Sequence, residues 1–352
     1  MMSKIKYSSV RLALRMMHGA GFHKIGGGWS RGLGVILTMH HVRPATNEAF
    51  APSGILEITP EFLDEVIVYL KNEGYDIIPM SDVPERIRGA DGQNPFAALT
   101  FDDGYRDNAQ YALPILRKHN VPCTVYVARG FVEHTASMWW RDLEAIIRRE
   151  NEVRCRIEHM AYELPTGSAV QKNRAYLTLY WHLRDLDEAL LRRAMEDLKA
   201  TYPIDSEASV AELCMDWQEL AAFAADPLVT IGAHTLTHPK LAGCSVDDAR
   251  REMEESKAVI EEKLGAPPRH IAYPFGDLSS AGPREFAMAR DAGFETGVTT
   301  RPGMIFPGHV DHLTALPRLS LNGYFQSIPE VAMLLSGLPF ASMRLGRRIN
   351  VA

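Results

Sequence analysis

Two short segments, far apart in the chain, hold most of its chemically able side chains. One is Leu99–Tyr105 (LTFDDGY) and the other is 231–239 (IGAHTLTHP). The first places two carboxylates, Asp102 and Asp103, directly after an apolar run; the second does the same with His234 and His238. Neighbouring carboxylates that share a dry pocket repel, which pushes one of them toward its protonated form. A divalent cation on one relieves the repulsion and leaves the other free as a base. Gly104 permits the tight geometry such a turn needs. If a helical turn starts at Thr235, His234 and His238 lie on one face and reach one ion, and Pro239 ends the turn. Zinc accepts nitrogen and oxygen donors and keeps a position for water in catalytic sites. Taken alone, Asp-Asp-Gly also reads as an ordinary turn or helix cap. HxxxH alone also reads as two surface histidines, and the combination carries the metal reading.

The elements that must position these residues follow from periodicity. Uninterrupted apolar runs predict buried strands at Gly34–Met39, 76–80, Phe96–Phe101, 122–127, 228–231, 270–273, 296–299 and 316–319. Apolar residues at helical spacing predict helices over 59–71, 107–119, 245–264 and 282–292, with a small helix from Ser81 opened by Pro84 and Gly293 as a C-terminal cap. Strands alternating with helices imply parallel βα units, with ligands at the carboxyl ends of the strands. Both polar segments fall at such ends, and so does His40-His41 after Gly34–Met39. Residues 137–217 break the rhythm. They are charged and helical, with Trp139, Trp140, Tyr176, Tyr180 and Trp181 as apolar contacts and no evident strand, and they read as a helical insertion.

Composition narrows the class. The 352 residues, 46% hydrophobic, suffice for a large core. A formal charge of −6 argues against a nucleic-acid surface. Cys123, Cys155, Cys214 and Cys244 form neither a thiolate metal motif nor a disulfide framework, and Cys123 reads as core. The expected organisation is a basic N-terminal extension over 1–30, a main unit over 31–341 and a basic tail over 342–352. The extension, with Lys4, Lys6, Arg11 and Arg15, has no apolar run long enough for a secretory signal or a membrane span. An amphipathic helix over 9–17 would dock on the main unit; peripheral contact at the inner membrane surface stays open. Residues 26–28 (GGG) read as a joint, since no phosphate-loop pattern follows.

TFDDGY (Thr100–Tyr105), HTLTH (His234–His238) and YPFG (Tyr273–Gly276) together resemble the polysaccharide deacetylase superfamily, carbohydrate esterase family 4, with its nodulation-type deacetylase domain. The likeness runs from about Gly34 to Ser320, interrupted by the insertion. It implies an α/β fold, a distorted (β/α) barrel, seven-stranded, with a helical insertion. It also implies a metal-dependent hydrolase that removes acetyl from an N-acetylated sugar, oligosaccharide or polysaccharide. Carried over by position, Asp103, His234 and His238 hold the metal, most readily Zn2+, with Co2+, Mn2+ and Ni2+ as alternatives. Asp102 is the base that activates water, and a backbone N–H near Tyr105 could add an oxyanion donor.

Two departures from the family pattern matter. The late Leu-x-His segment that supplies the acid reads Leu316-Pro-Arg318 here. LTMHHV (Leu37–Val42) instead resembles the N-terminal-side histidine segment of a circularly rearranged branch. That makes His40 the acid candidate and His41 its competitor, with His309 and His312 weaker. Ala272 stands where many members carry an arginine that orients the catalytic Asp. Arg318 is the candidate replacement, against the plainer reading of a peripheral salt bridge. Tyr105, Trp139, Trp140, Tyr273, Pro274 and Phe275 are candidate substrate contacts or pocket walls; the two tryptophans serve equally well as anchors of the insertion. Hydrolysis of another non-peptide C–N bond, in a cyclic amide or imide, and non-catalytic carbohydrate binding are the competing functions. The expected location is cytoplasmic, with an acetylated carbohydrate as partner, no nucleic acid, no transmembrane segment, and an oligomeric state the sequence does not fix.

Overall fold

The computed structural model describes residues 4–25, 28–89, 94–343, 349 and 351. Runs such as GVILTM and FAALTF bury every side chain, so they need cover on both faces. The chain provides it by returning through a helix between successive strands. The strands are β1 (Gly34–Met39), β2 (Asp76–Ile77), β3 (Phe96–Phe101), β4 (Cys123–Val127), β5 (Val229–Ala233), β6 (His270–Ala272), β7 (Thr296–Val298) and β8 (Leu319–Ser320). All pair in parallel, in the order β7-β6-β5-β4-β3-β1-β8. β2 lies off this seven-strand path. It takes the edge of β3 at Phe96 and Ala97, and β4 takes the same edge from Leu99 onward. A lone bridge from Val298 to Leu316 spans the gap between β7 and the β8 segment, so the barrel is curled and only partly closed.

Prolines account for several boundaries that differ from expectation. Pro317 has no N–H to give, and the late strand shrinks from 316–319 to Leu319–Ser320 with Leu316 held only by its bridge. Pro79 ends β2 early, before a short 3-10 turn at Met80–Asp82. The helix expected over 107–119 begins as a π-helical turn at Asn108–Ala112 and becomes α-helical at Leu113–His119, where Pro114 withholds one amide.

Residues 137–217 need one correction: they contain an antiparallel hairpin, Glu152–Ile157 with Met160–Pro165. Val153 and Ile157 point inward while Glu152, Arg154 and Arg156 face out or lie at the margin, a period-two signal masked by the surrounding charge. Around the hairpin lie α-helices Trp139–Arg149, Ala169–Asp185 and Glu188–Thr201, which share a second apolar cluster built on Leu143, Ile147, Val153, Leu179 and Leu183. At the N-terminal side the helix Lys4–Gly19 packs on Ile328–Leu335. Gly26 and Gly27, and all but Ser342, Met343, Ile349 and Val351 of the tail, lie outside the described residues.

β1 and β3 approach so closely that Gly34 has no room for a side chain. A Cβ there would sit 2.3 Å from the Phe96 carbonyl oxygen. Gly34→Ala must therefore part the two strands that carry His40 and Asp102, and should cost about 1–3 kcal/mol, read as a lowered urea midpoint with an unchanged slope.

Candidate active site

In a regular strand, successive side chains point to opposite faces, so Asp102 and Asp103 should diverge as they leave β3. They do not, because Asp103 adopts a left-handed backbone (φ 74°) followed by Gly104 (φ 69°). Both carboxylates line one cavity of about 500 Å³ at the carboxyl ends of the strands. Left-handed non-glycine residues recur in the two other site loops, at Thr235 (φ 70°), His238 (φ 59°) and Phe275 (φ 60°). Such strain persists only where the surrounding contacts over-determine it.

The histidine loop shows how that is done. No helical turn starts at Thr235. The chain instead folds sharply through two left-handed residues, with the His238 amide donating to Thr235 Oγ1 at 3.1 Å. Glu252, projecting from the helix Val246–Leu264, grips the loop. Its Oε2 accepts the Leu236 and Thr237 amides at 2.8 and 2.9 Å, and its Oε1 accepts the Thr237 hydroxyl at 2.7 Å. This carboxylate escapes a sequence reading, since it lies on an acidic helix face that looks like any solvated one.

So held, His234 Nε2 and His238 Nε2 stand 3.5 and 3.4 Å from Asp103 Oδ1. His234 Nδ1 lies 2.7 Å from the Ala272 carbonyl, so it carries the proton and leaves Nε2 as a lone pair. Burial drives both imidazoles toward the neutral form, below their ordinary 6.5. Burial, and then the charge of Asp102, push Asp103 up to about 7 against the opposing pull of the Tyr105 hydroxyl. Asp103 Oδ1 is buried with no hydrogen-bond partner. Three lone pairs thus converge on one point. Donors about 2.05 Å from a tetrahedral ion lie roughly 3.3 Å apart, so the set Asp103, His234 and His238 fits a divalent metal.

Asp102 is held differently. Arg318 reaches across from the β8 segment and binds it through two nitrogens, Nη1 to Oδ1 at 2.7 Å and Nη2 to Oδ2 at 2.6 Å. The guanidinium is buried and further fixed by the Thr299 carbonyl at 2.9 Å and Thr100 Oγ1 at 3.2 Å. This is no peripheral salt bridge. Burial raises the Asp102 carboxyl, but the adjacent Arg318 outweighs it and holds the group well below 3.8.

The two early histidines separate cleanly. His40 lines the cavity with Nε2 4.0 Å from Asp102 Oδ2, and burial lowers it to about 4 despite the neighbouring carboxylate. His41 turns away, bonded to Asp107 at 2.6 Å and stacked on Tyr105 at 3.6 Å. His309 and His312 sit in the 3-10 segment Pro307–Ala315 and do not line the cavity.

The expected substrate contacts divide as well. Trp140 and Phe275 line the cavity, and both pack against the His238 ring. Trp139 stacks on Tyr180 inside the insertion, so it anchors. Tyr105 is fully buried behind Asp103, and Tyr273 donates to the Thr314 carbonyl at 2.7 Å; neither lines the cavity, nor does Pro274. The helix Ala169–Asp185 adds walls the sequence did not single out as a site: Tyr176, Tyr180, Trp181 and Arg184. Arg184 pairs with Asp277 and lies 4.6 Å over the Phe275 ring. Pro52, Ser53, Ile55, Leu56, Thr38, Ser320 and Asn322 complete the lining.

Two measurements check this geometry. Glu252→Gln leaves one acceptor for three donors, and metal affinity in a chelator competition should fall about 10–100-fold. Folding depresses Asp102, so the Arg318 pair contributes stability that is complete above pH 3.8 and lost as pH falls below it. Arg318→Met should cost about 3–5 kcal/mol at neutral pH, and should flatten the acid limb of stability measured below pH 3.8.

The polysaccharide deacetylase family matches residues 89–297, a span that contains Asp102, Asp103, His234 and His238 but neither His40 nor Arg318. Among solved structures, the deacetylase PplD of Streptococcus pyogenes, in complex with acetate, is 19% identical over 83% of this chain and 93% of its own, with a TM-score of 0.54. IcaB from Ammonifex degensii is 18% identical over 87% and 98%, with a TM-score of 0.55. BC0361, a polysaccharide deacetylase from Bacillus cereus, is 16% identical over 86% and 68%, with a TM-score of 0.53. At these identities the structural likeness is one of fold. No helix among the described residues is long and apolar enough to cross a membrane. Through both segments that bring its acids and histidines together, the chain belongs to the polysaccharide deacetylase family, as a metal-dependent carbohydrate deacetylase.

Proposed function

We propose that the cavity hydrolyses the N-acetyl group of an amino sugar in a glycan, with Asp102 as base, His40 as the proton donor to the leaving amine, and Arg318 as the residue that orients Asp102. The observation that carries the reading is the convergence of Asp103 Oδ1, His234 Nε2 and His238 Nε2 beside a separately paired Asp102. A cation bound by Asp103, His234 and His238 would supply Lewis-acid polarisation of the acetyl carbonyl and a more acidic water. Two imidazoles and one carboxylate favour Zn2+ over Mn2+, with Co2+ and Ni2+ closer competitors.

The rest is done by the protein. Asp102, ionised and fixed by two hydrogen bonds from Arg318, accepts a proton from the attacking water as the new C–O bond forms. An amine leaves only if protonated. His40, neutral at rest and 4.0 Å from Asp102 Oδ2, can receive that proton and pass it to the nitrogen as the C–N bond breaks. Acetate and a free amine result. The Tyr105 amide, just after the left-handed pair, is a further candidate donor to the oxyanion.

Trp140, Trp181 and Phe275 offer apolar surface to a sugar ring, and the polar Thr38, Ser320 and Asn322 line the same cavity. Four unpaired cysteines suit a reducing compartment, which favours the cytoplasm and an oligosaccharide, sugar precursor or lipid-linked substrate.

Acetate release from chitin oligomers, peptidoglycan fragments, exopolysaccharide and lipid-linked acetylamino sugars should identify the substrate; release from none of them by zinc-loaded enzyme overturns the assignment. Asp102→Asn should keep the metal and lose about 10²–10⁴ in kcat, and His40→Ala should fall within the same range. His41→Ala should lower thermal stability with a smaller effect on kcat. Full activity in His40→Ala would remove it from the proton path.

A further inference from the structure

The apolar residues left exposed are not scattered. Among the described residues, six of the thirteen large exposed hydrophobics fall between positions 10 and 29: Val10, Leu12, Met16, Phe22, Ile25 and Trp29. The helix Lys4–Gly19 explains part of this, because two half-exposed arginines, and few apolar side chains, tie it to the body. Arg11 and Arg15, four apart, both donate to Glu330 Oε1, at 3.1 and 2.8 Å, and Leu14 is buried beside them. Leu12 and Met16, also four apart, face outward at 59% and 62% exposure, with Ala13 and Ala20 exposed near them. A helix covering a core in water does the reverse.

Charge is distributed to match. Residues 1–31 hold six Lys or Arg and no Asp or Glu; residues 341–352 hold three Arg and no acid. The remaining 309 residues carry a formal charge of −15. The described chain leading to each basic end meets the other. The Ser30 hydroxyl donates to the Ser336 carbonyl at 2.7 Å, and Leu338–Met343 packs on Gly28–Arg31.

We propose that this side is a docking surface for an anionic phospholipid bilayer, with the outer face of Lys4–Gly19, Phe22, Ile25 and Trp29 lying in the headgroup region. Side chains of this size gain by leaving water, a tryptophan suits the interface, and lysines and arginines beside them are attracted to anionic lipid. The acidic body is held off the same surface, which fixes one orientation. A second copy is a poor occupant, because a two-fold contact would set one basic patch against another.

The test uses the full chain and vesicles of phosphatidylcholine with one quarter phosphatidylglycerol, read by sedimentation. Binding should weaken about tenfold or more on pure phosphatidylcholine or in high salt. Leu12→Glu with Met16→Glu should abolish it while leaving thermal stability and acetate release from a soluble oligosaccharide unchanged. Lys4→Gln, Lys6→Gln and Lys24→Gln, needed should the first variant fail to fold, should weaken binding about fivefold per charge. No sedimentation, equal binding to neutral and anionic vesicles, or unchanged binding of the charge variant overturns the proposal. So does a vesicle-independent oligomer that Leu12→Glu with Met16→Glu dissolves, which would assign the patch to a second copy.

Discussion

Two carboxylates on consecutive residues face the same cavity, and the rest of the site answers that constraint. Left alone, the pair could not both ionise there. The fold separates them electrically. Asp102 receives a buried guanidinium, and Asp103 receives two neutral imidazoles whose lone pairs need a cation as much as its own does. One carboxylate is kept ionised and the other is kept available, although they share a peptide bond. The strained turn at Asp103 makes this possible, since a relaxed strand would have sent one of them into the barrel wall.

The barrel's closure determines which residues reach Asp102. β1 stands beside β8, with Leu37 opposite Leu319, so Arg318, entering β8, lies against β1, whose carboxyl end leads into His40. His40 follows β1 and Arg318 precedes β8, and both converge on Asp102 from outside the span matched by the family. Strands from opposite ends of the sequence thus complete a site whose metal-holding half lies in the middle. The arrangement is intelligible only once strand order is known, because nothing in the linear sequence places residue 40 next to residue 318.

The parts of the site legible in sequence are those whose chemistry is local. Asp102, Asp103, His234 and His238 announce themselves by type and by position after apolar runs, and the strands that carry them show as continuous hydrophobic stretches. The histidine spacing was readable, but its cause was not. Proximity comes from two left-handed residues and the Glu252 grip, not from helical periodicity. Glu252, Tyr176, Tyr180 and Arg184 were invisible as site residues because they act through tertiary packing of ordinary-looking helices. The hairpin at Glu152–Ile157 was missed for a related reason: half its residues are charged, and alternation with charge resembles a solvated helix face.

Arg184 ties the insertion to the loop after β6, through Asp277 on one side and the face of Phe275 on the other, while Phe275 itself leans on His238. The cavity wall built by the insertion and the loop beside the metal-binding cluster are therefore one mechanical unit. Opening the wall would require parting an ion pair and unstacking a ring that also buttresses a ligand. Exchanging that insertion would disturb the cavity wall and the seat of His238 in the same stroke.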